Sequence, residues 1–156
     1  MTIENIALLR DALKAEGARS FIGTASEDGT PHVEENARIR IDEDGRLELL
    51  ELDEYSLTNR NLVRSIWFAK RVAVLVRTGE TAVKAVGKPY KAIITGPRFE
   101  AHYRALQDEN ADAELSTVWL VDIEAVTDER PAARRARDNA GRLPLTHLDR
   151  IAKKSA

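Results

Sequence analysis

Hydrophobic positions first recur with a helical period. Ile3, Ile6, Ala7, Leu9 and Leu13 fall on one face of a helix over residues 3–16, with Thr2 as a candidate cap and Gly17 as its stop. The period then shortens. Residues 20–25 are small and β-compatible, Ser26-Glu27-Asp28-Gly29-Thr30 is a turn, and 31–41 resumes an extended run in which Arg38-Ile39-Arg40-Ile41 alternates cleanly. A second acidic-Gly turn, Asp42-Glu43-Asp44-Gly45, leads into a strand over 46–51. Three strands joined by two such turns predict an antiparallel meander.

A short helix follows, for which Leu57, Leu62, Ile66 and Trp67 supply the expected buried side. Residues 71–76 (RVAVLV) read as a buried strand, Thr78-Gly79-Glu80 as a turn, and 81–86 and 91–95 as two strands around Gly87-Lys88-Pro89. Residues 97–107 predict a helix with Phe99, Tyr103 and Leu106 on one side, 108–114 a polar loop, and 115–126 (LSTVWLVDIEAV) the last strand. Six or seven strands with a few short helices predict a mainly β chain that closes as a small antiparallel β-barrel. Parallel layering would need a helix after nearly every strand, and the chain does not provide them.

The length, 156 residues, fits one domain able to bury roughly two-thirds of its unfolded surface. Net charge is −2 but unevenly spread. Residues 129–156 carry eight Lys/Arg against three acids, leaving −7 on residues 1–128. An acidic body argues against a nucleic-acid platform. The chain divides into a barrel domain over 1–128 and a basic tail over 129–156, expected to pack on the barrel or on a partner subunit. There are no cysteines, so disulfides and thiolate chemistry are excluded. No apolar run approaches the ~20 residues of a membrane span, and the first residues lack a signal-peptide pattern. A cytoplasmic location without membrane or nucleic-acid partners is expected.

The usual catalytic signatures are missing. His32, His102 and His147 lack the pairing of helical metal sites, so no metal is expected. No serine sits in a Gly-x-Ser-x-Gly elbow. Glu34 and Glu35 are adjacent on a strand and point to opposite faces, which suits a solvated edge better than a carboxylate dyad. Gly-rich phosphate loops are absent. The stretch 53–62 (DEYSLTNRNL) is the best candidate for an anion, because it places hydroxyls, amides and Arg60 where a helix begins. Ser56 or Thr58 as an ordinary helix cap is the competing reading. Trp67 and Trp119 are both expected to bury an edge in the core. One of the alternating sets on the Trp119 strand should face outward, and an apolar outer stripe suggests a second copy against it.

These pieces together resemble the FMN-binding split barrels related to pyridoxamine 5'-phosphate oxidase. The resemblance covers residues 3–127 and rests on Asp28-Gly29-x-Pro31-His32-Val33 and on the Asn61-Leu62 helix before the 72–76 strand. It implies a split barrel forming a homodimer, with two FMN sites at the subunit interface. It also implies a flavin phosphate at Ser56, Thr58, Asn59, Arg60 and Asn61. The isoalloxazine would lie along Glu34, Glu35, Asn36 and Ala37, held by main-chain groups. Glu34-Glu35 departs from the family pattern, where a proline or a basic residue is common. The Ser-Arg-Lys cluster and C-terminal Arg/His pattern of true pyridoxamine phosphate oxidases are not reproduced, so vitamin B6 oxidation is not expected. Residues 143–151 (LPLTHLDRI) are expected to dock across the dimer near the flavin. The implied function is an FMN-dependent oxidoreductase of unassigned small substrate. The alternatives are a non-catalytic flavin carrier or sensor, or a split barrel using deazaflavin or haem.

Overall fold

The computed structural model describes residues 3–141. Its elements in order are α1 (Ile3–Lys14), β1 (Arg19–Ala25), β2 (Pro31–Glu35), β3 (Ile39–Ile41), β4 (Leu47–Glu51) and α2 (Leu57–Trp67). They continue as β5 (Val72–Thr78), β6 (Thr81–Ile93), α3 (Pro97–Glu109), β7 (Thr117–Asp128) and α4 (Pro131–Ala140). Every strand pairing is antiparallel, and the sheet runs β2-β1-β5-β6-β7-β4-β3. The seven strands curl into a half-barrel, as the mainly β split-barrel reading expects.

The predicted meander is corrected in one respect. Residues 31–41 do not form one strand: β2 pairs with β1 and β3 with β4, at opposite edges of the sheet. Asn36 makes the break. Its main-chain N–H donates to Ser20 O at 2.9 Å, its amide donates to Leu50 O at 3.1 Å, and its side-chain oxygen accepts from Arg38 N at 2.7 Å. One residue thus ties β1 to β4 across the open side of the sheet, and these bonds help hold the curl.

A second correction concerns β6. Gly87-Lys88-Pro89 does not separate two strands, because register shifts at Val86/Gly87 and Pro89/Lys91 absorb the irregularity and β6 continues against β7. Gly87 is required there: a Cβ would meet the Asp122 carbonyl oxygen at 2.2 Å.

The main core fills the concave side. Leu9 of α1, Ile22, Leu47, Leu49, Leu62 of α2, Val74, Val76 and Trp119 meet there. A smaller cluster, Leu106, Leu115 and Val118, lies under α3 with Phe99 and Tyr103 against it. Both faces of β7 over 117–121 are therefore covered, and the expected outer stripe on this strand is absent. Trp119 is buried as expected, but Trp67 is 79% exposed at the end of α2. Ile3 is exposed as well. Leu57 is likewise exposed, whereas Leu62 and Ile66 do face the core. The basic stretch, read without an element, contains α4, which Pro131 opens at its first turn. The Thr2 cap and the 143–151 anchor lie outside the described residues. Among the described residues no helix is long and apolar enough to cross a membrane.

Candidate functional site

Ser56 begins α2 as its N-cap, accepting from Asn59 N at 2.9 Å through its hydroxyl and from Arg60 N at 3.2 Å through its carbonyl. The chain enters α2 from β4, and the helix packs against β1, β2 and β6. Each amide side chain there is engaged. Asn59 is buried, accepts from the Trp119 indole at 2.9 Å and donates to Glu54 O at 2.9 Å. Asn61 is buried and donates to Thr24 Oγ1 at 3.0 Å. Thr58 is fully buried and donates its hydroxyl to Glu34 of β2. Arg60 is exposed and forms no ion pair among the described residues.

The residues expected along an isoalloxazine divide by face. Glu35 turns outward and takes a two-pronged contact from Arg19, at 3.0 and 2.9 Å. That bond, with the charge of Arg19, holds the Glu35 carboxyl below its ordinary value. Glu34 turns the other way, to Thr58 and to His32 Nε2 at 3.6 Å. Asn36 is the bridge described above. Ala37 is exposed beside a small cavity of about 290 Å³ under α3.

The start of α2 is an acidic place. Glu51 is buried, accepts from Asp53 N at 3.2 Å and lies close enough to Glu34 to feel its charge. Burial pushes its carboxyl above the ordinary range, and Glu34 and Asp53 add to that. Asp53 and Glu54 flank it in sequence. Four carboxylates thus lie at or beside the start of α2, whose first turn carries one exposed arginine, Arg60. A helix N-terminus attracts anions with about half a unit charge, which four carboxylates outweigh. As arranged, this set does not fit a phosphate.

A different surface has the opposite character. Cross-strand register aligns Val33, Gly23 and Ala73 in one row and Phe21, Leu75 and Lys84 in the next, all on the convex face of β2, β1, β5 and β6. They floor a cleft of about 700 Å³. Gly23 beside Ala73 leaves the floor flat, and Val33 is 68% exposed. Arg77, Lys84 and Arg134 stand at the rim, with Glu80 and Glu129 as the two acids among the lining residues. Glu129 binds Lys84 at 3.1 Å, Arg137 at 3.1 Å and Arg134 at 3.7 Å. Burial works against its charge, but the Thr127 hydroxyl, Lys84 and Arg137 outweigh that and keep the carboxyl below its ordinary value. Arg77 has no ion pair among the described residues. Cations therefore outnumber acids at this rim. Periodicity alone does not reveal the cleft, because its floor residues alternate on strands whose other face is the core.

A third cluster joins α3 to the sheet. Glu48 is 1% exposed and meets Arg40, Arg98 and His102, the last at 2.8 Å, while Arg98 also reaches Asp42 at 2.9 Å. These residues hold α3 in place. His102, unassigned in the sequence reading, belongs to this network.

No protein-family model and no curated protein matches the sequence. Solved structures nonetheless share the fold. An FMN-binding protein from Syntrophomonas wolfei superposes with a TM-score of 0.68 at 10% identity, over 81% of this chain and 86% of that one. A proposed pyridoxamine 5'-phosphate oxidase from Lactobacillus delbrueckii gives 0.56 at 17% identity, over 81% and 92%. An F420 reductase gives 0.55 at 18% identity, over 75% and 94%. The resemblance in the sequence to split barrels of the pyridoxamine 5'-phosphate oxidase type thus holds at the level of the fold.

Proposed function

We propose that this chain binds a flavin-type cofactor, FMN in the first place, and serves as an oxidoreductase for a small molecule. One observation carries the reading: a split-barrel sheet presents an uncovered flat apolar face with an excess of cations at its rim. A planar ring bearing an anionic arm has that same combination of surfaces. The volume, about 700 Å³, lies within the range of cofactor clefts.

A flavin would supply hydride or electron transfer from its own ring. The chain's part is then to bind and orient. Phe21, Leu75 and Val33 would keep water from one side of the ring, and Gly23 and Ala73 would let it lie close. No acid or base on the protein is required for such a step. The cleft is open on its outer side, and a second copy of the chain packed on the same face would close it. The homodimer of the resemblance is therefore part of this proposal, resting on β1, β2 and β5 rather than on β7.

The test is an absorption spectrum of purified protein with and without FMN, followed by anaerobic reduction with NADH or NADPH. Flavin binding with reduction supports the oxidoreductase. Binding without reduction by either donor favours a carrier or sensor. Absence of quenching at micromolar FMN removes the proposal. A deazaflavin is the second reading, favoured by the fold shared with the F420 reductase, and the same titration with F420 decides it.

A further inference from the structure

We infer that Glu34 closes the N-terminus of α2 to a cofactor phosphate, and that the phosphate is read instead at the Arg77–Lys84–Arg134 rim of the convex cleft. The inference rests on the flavin reading for the second half alone. For the first half the geometry is local. The Glu34 carboxylate accepts from Thr58 at the helix's first turn, where an incoming anion would need that hydroxyl. Thr58 is fully buried, so its hydroxyl has no freedom to serve a second acceptor from solvent. Ser56 spends its side-chain oxygen on Asn59 N. A phosphate at this turn would stand beside Glu34 and near Glu51, with Arg60 on the same turn as a cation. Like charges at such range repel strongly in a partly buried setting.

The rim offers what the helix lacks. Arg77 follows Leu75 on the same face of β5, two residues beyond the apolar floor, where it would be in reach of an anionic arm on a ring held there. Lys84 is paired across from Leu75 on β6. Glu129 and Glu80 offset two of the three lining cations, Arg77, Lys84 and Arg134, and leave a surplus of one positive charge. Glu34 thus acts as a specificity-determining residue. It supplies from within the chain the negative group that a phosphate would otherwise bring to α2.

FMN and riboflavin differ by the phosphate alone, so the ratio of their affinities isolates it. In the full-length protein that ratio should change less than about twofold in Arg60→Ala, and should fall at least about tenfold in Arg77→Ala/Lys84→Ala. Collapse of the ratio in Arg60→Ala with no change in the double variant would overturn the inference. If neither flavin binds, the flavin reading fails separately, and the Glu34 half is read with inorganic phosphate. The backbone amide signals of Leu57 and Thr58 should then shift with phosphate in Glu34→Gln and stay fixed in the parent. A response in the parent, or in neither protein, would refute the closure. Unchanged far-ultraviolet circular dichroism in each variant keeps these outcomes separate from misfolding.

Discussion

The Trp119 indole N–H donates to Asn59 Oδ1 at 2.9 Å, with both side chains buried between β7 and α2. This bond fixes the first turn of α2 against β7. Asn59→Ala leaves the indole and the Glu54 carbonyl without partners, which costs about 1–3 kcal/mol. Urea unfolding followed by Trp fluorescence should show a lower midpoint at unchanged slope.

Gly87 sits where β6 crosses closest to β7. A Cβ there meets the Asp122 carbonyl oxygen at 2.2 Å, a contact that only a backbone shift can relieve. Gly87→Ala should destabilise by at least about 1–3 kcal/mol, the usual range for overpacking. Gly141→Ala, where the same atom meets ordinary contacts at 3.7 Å or more, should change stability little. Thermal melts of the two variants decide it.

Glu48 carries the acid sensitivity of the α3 junction. Burial raises its carboxyl, but hydrogen bonds from Arg40 and Arg98 and the charge of His102 bring the net value below the ordinary one. Asp42 is likewise lowered: burial opposes ionisation, and bonds from Arg98 and the Arg46 N–H prevail. A carboxyl depressed in the folded state contributes stability above its unfolded pKa, about 4, and loses it as pH falls through the folded value. Glu48→Gln should therefore cost about 2 kcal/mol at pH 7, discounted for the exposure of Arg40. The gap should narrow on acidification below about pH 4.

Glu51 has the opposite sign. Burial raises its carboxyl, with Glu34 adding to the effect. Ionisation is thus less favourable folded than unfolded, and the resulting penalty grows as pH rises from the unfolded pKa through the folded one. Glu51→Gln keeps an oxygen for the Asp53 N–H and removes the charge. The variant should melt a few degrees higher at pH 7 and equal the parent below about pH 4.

Trp67 tests the corrected face of α2. At 79% exposure its replacement by serine should change stability by less than about 0.5 kcal/mol, whereas Leu62→Ala, fully buried on the same helix, should cost about 2–5 kcal/mol. Paired denaturation curves separate the two.

Much of the fold is legible because alternation and turn chemistry are local. Val72, Val74 and Val76 alternate with Ala73, Leu75 and Arg77, and the structure buries the first set. The two acidic-Gly turns lie where they are expected, with Gly29 and Gly45 at positive φ. The break at Asn36 is not legible, since it depends on Ser20 and Leu50, distant in sequence. Trp67 misleads for a related reason: hydrophobicity argues for burial, but the rotation of α2 is set by Asn59 on Trp119 and Leu62 in the core. α4 was open to reading from Pro131 and the helix-forming Ala and Arg residues after it.

The candidate site divides in the same way. Composition and pattern determined a mainly β antiparallel chain, its first three helices and a hydroxyl-rich helix start after the first run of strands, because each is written in neighbouring residues. Which carboxylate faces that helix, and which side chains line up across three strands, is set by register. Glu34 and Thr58 are 24 positions apart and meet only when β2 lies beside α2. Phe21, Leu75 and Lys84 form one row only when β1, β5 and β6 are paired. A strand presents its neighbours with alternate side chains whatever they are, so the chemistry on each face had to wait for the tertiary pairing.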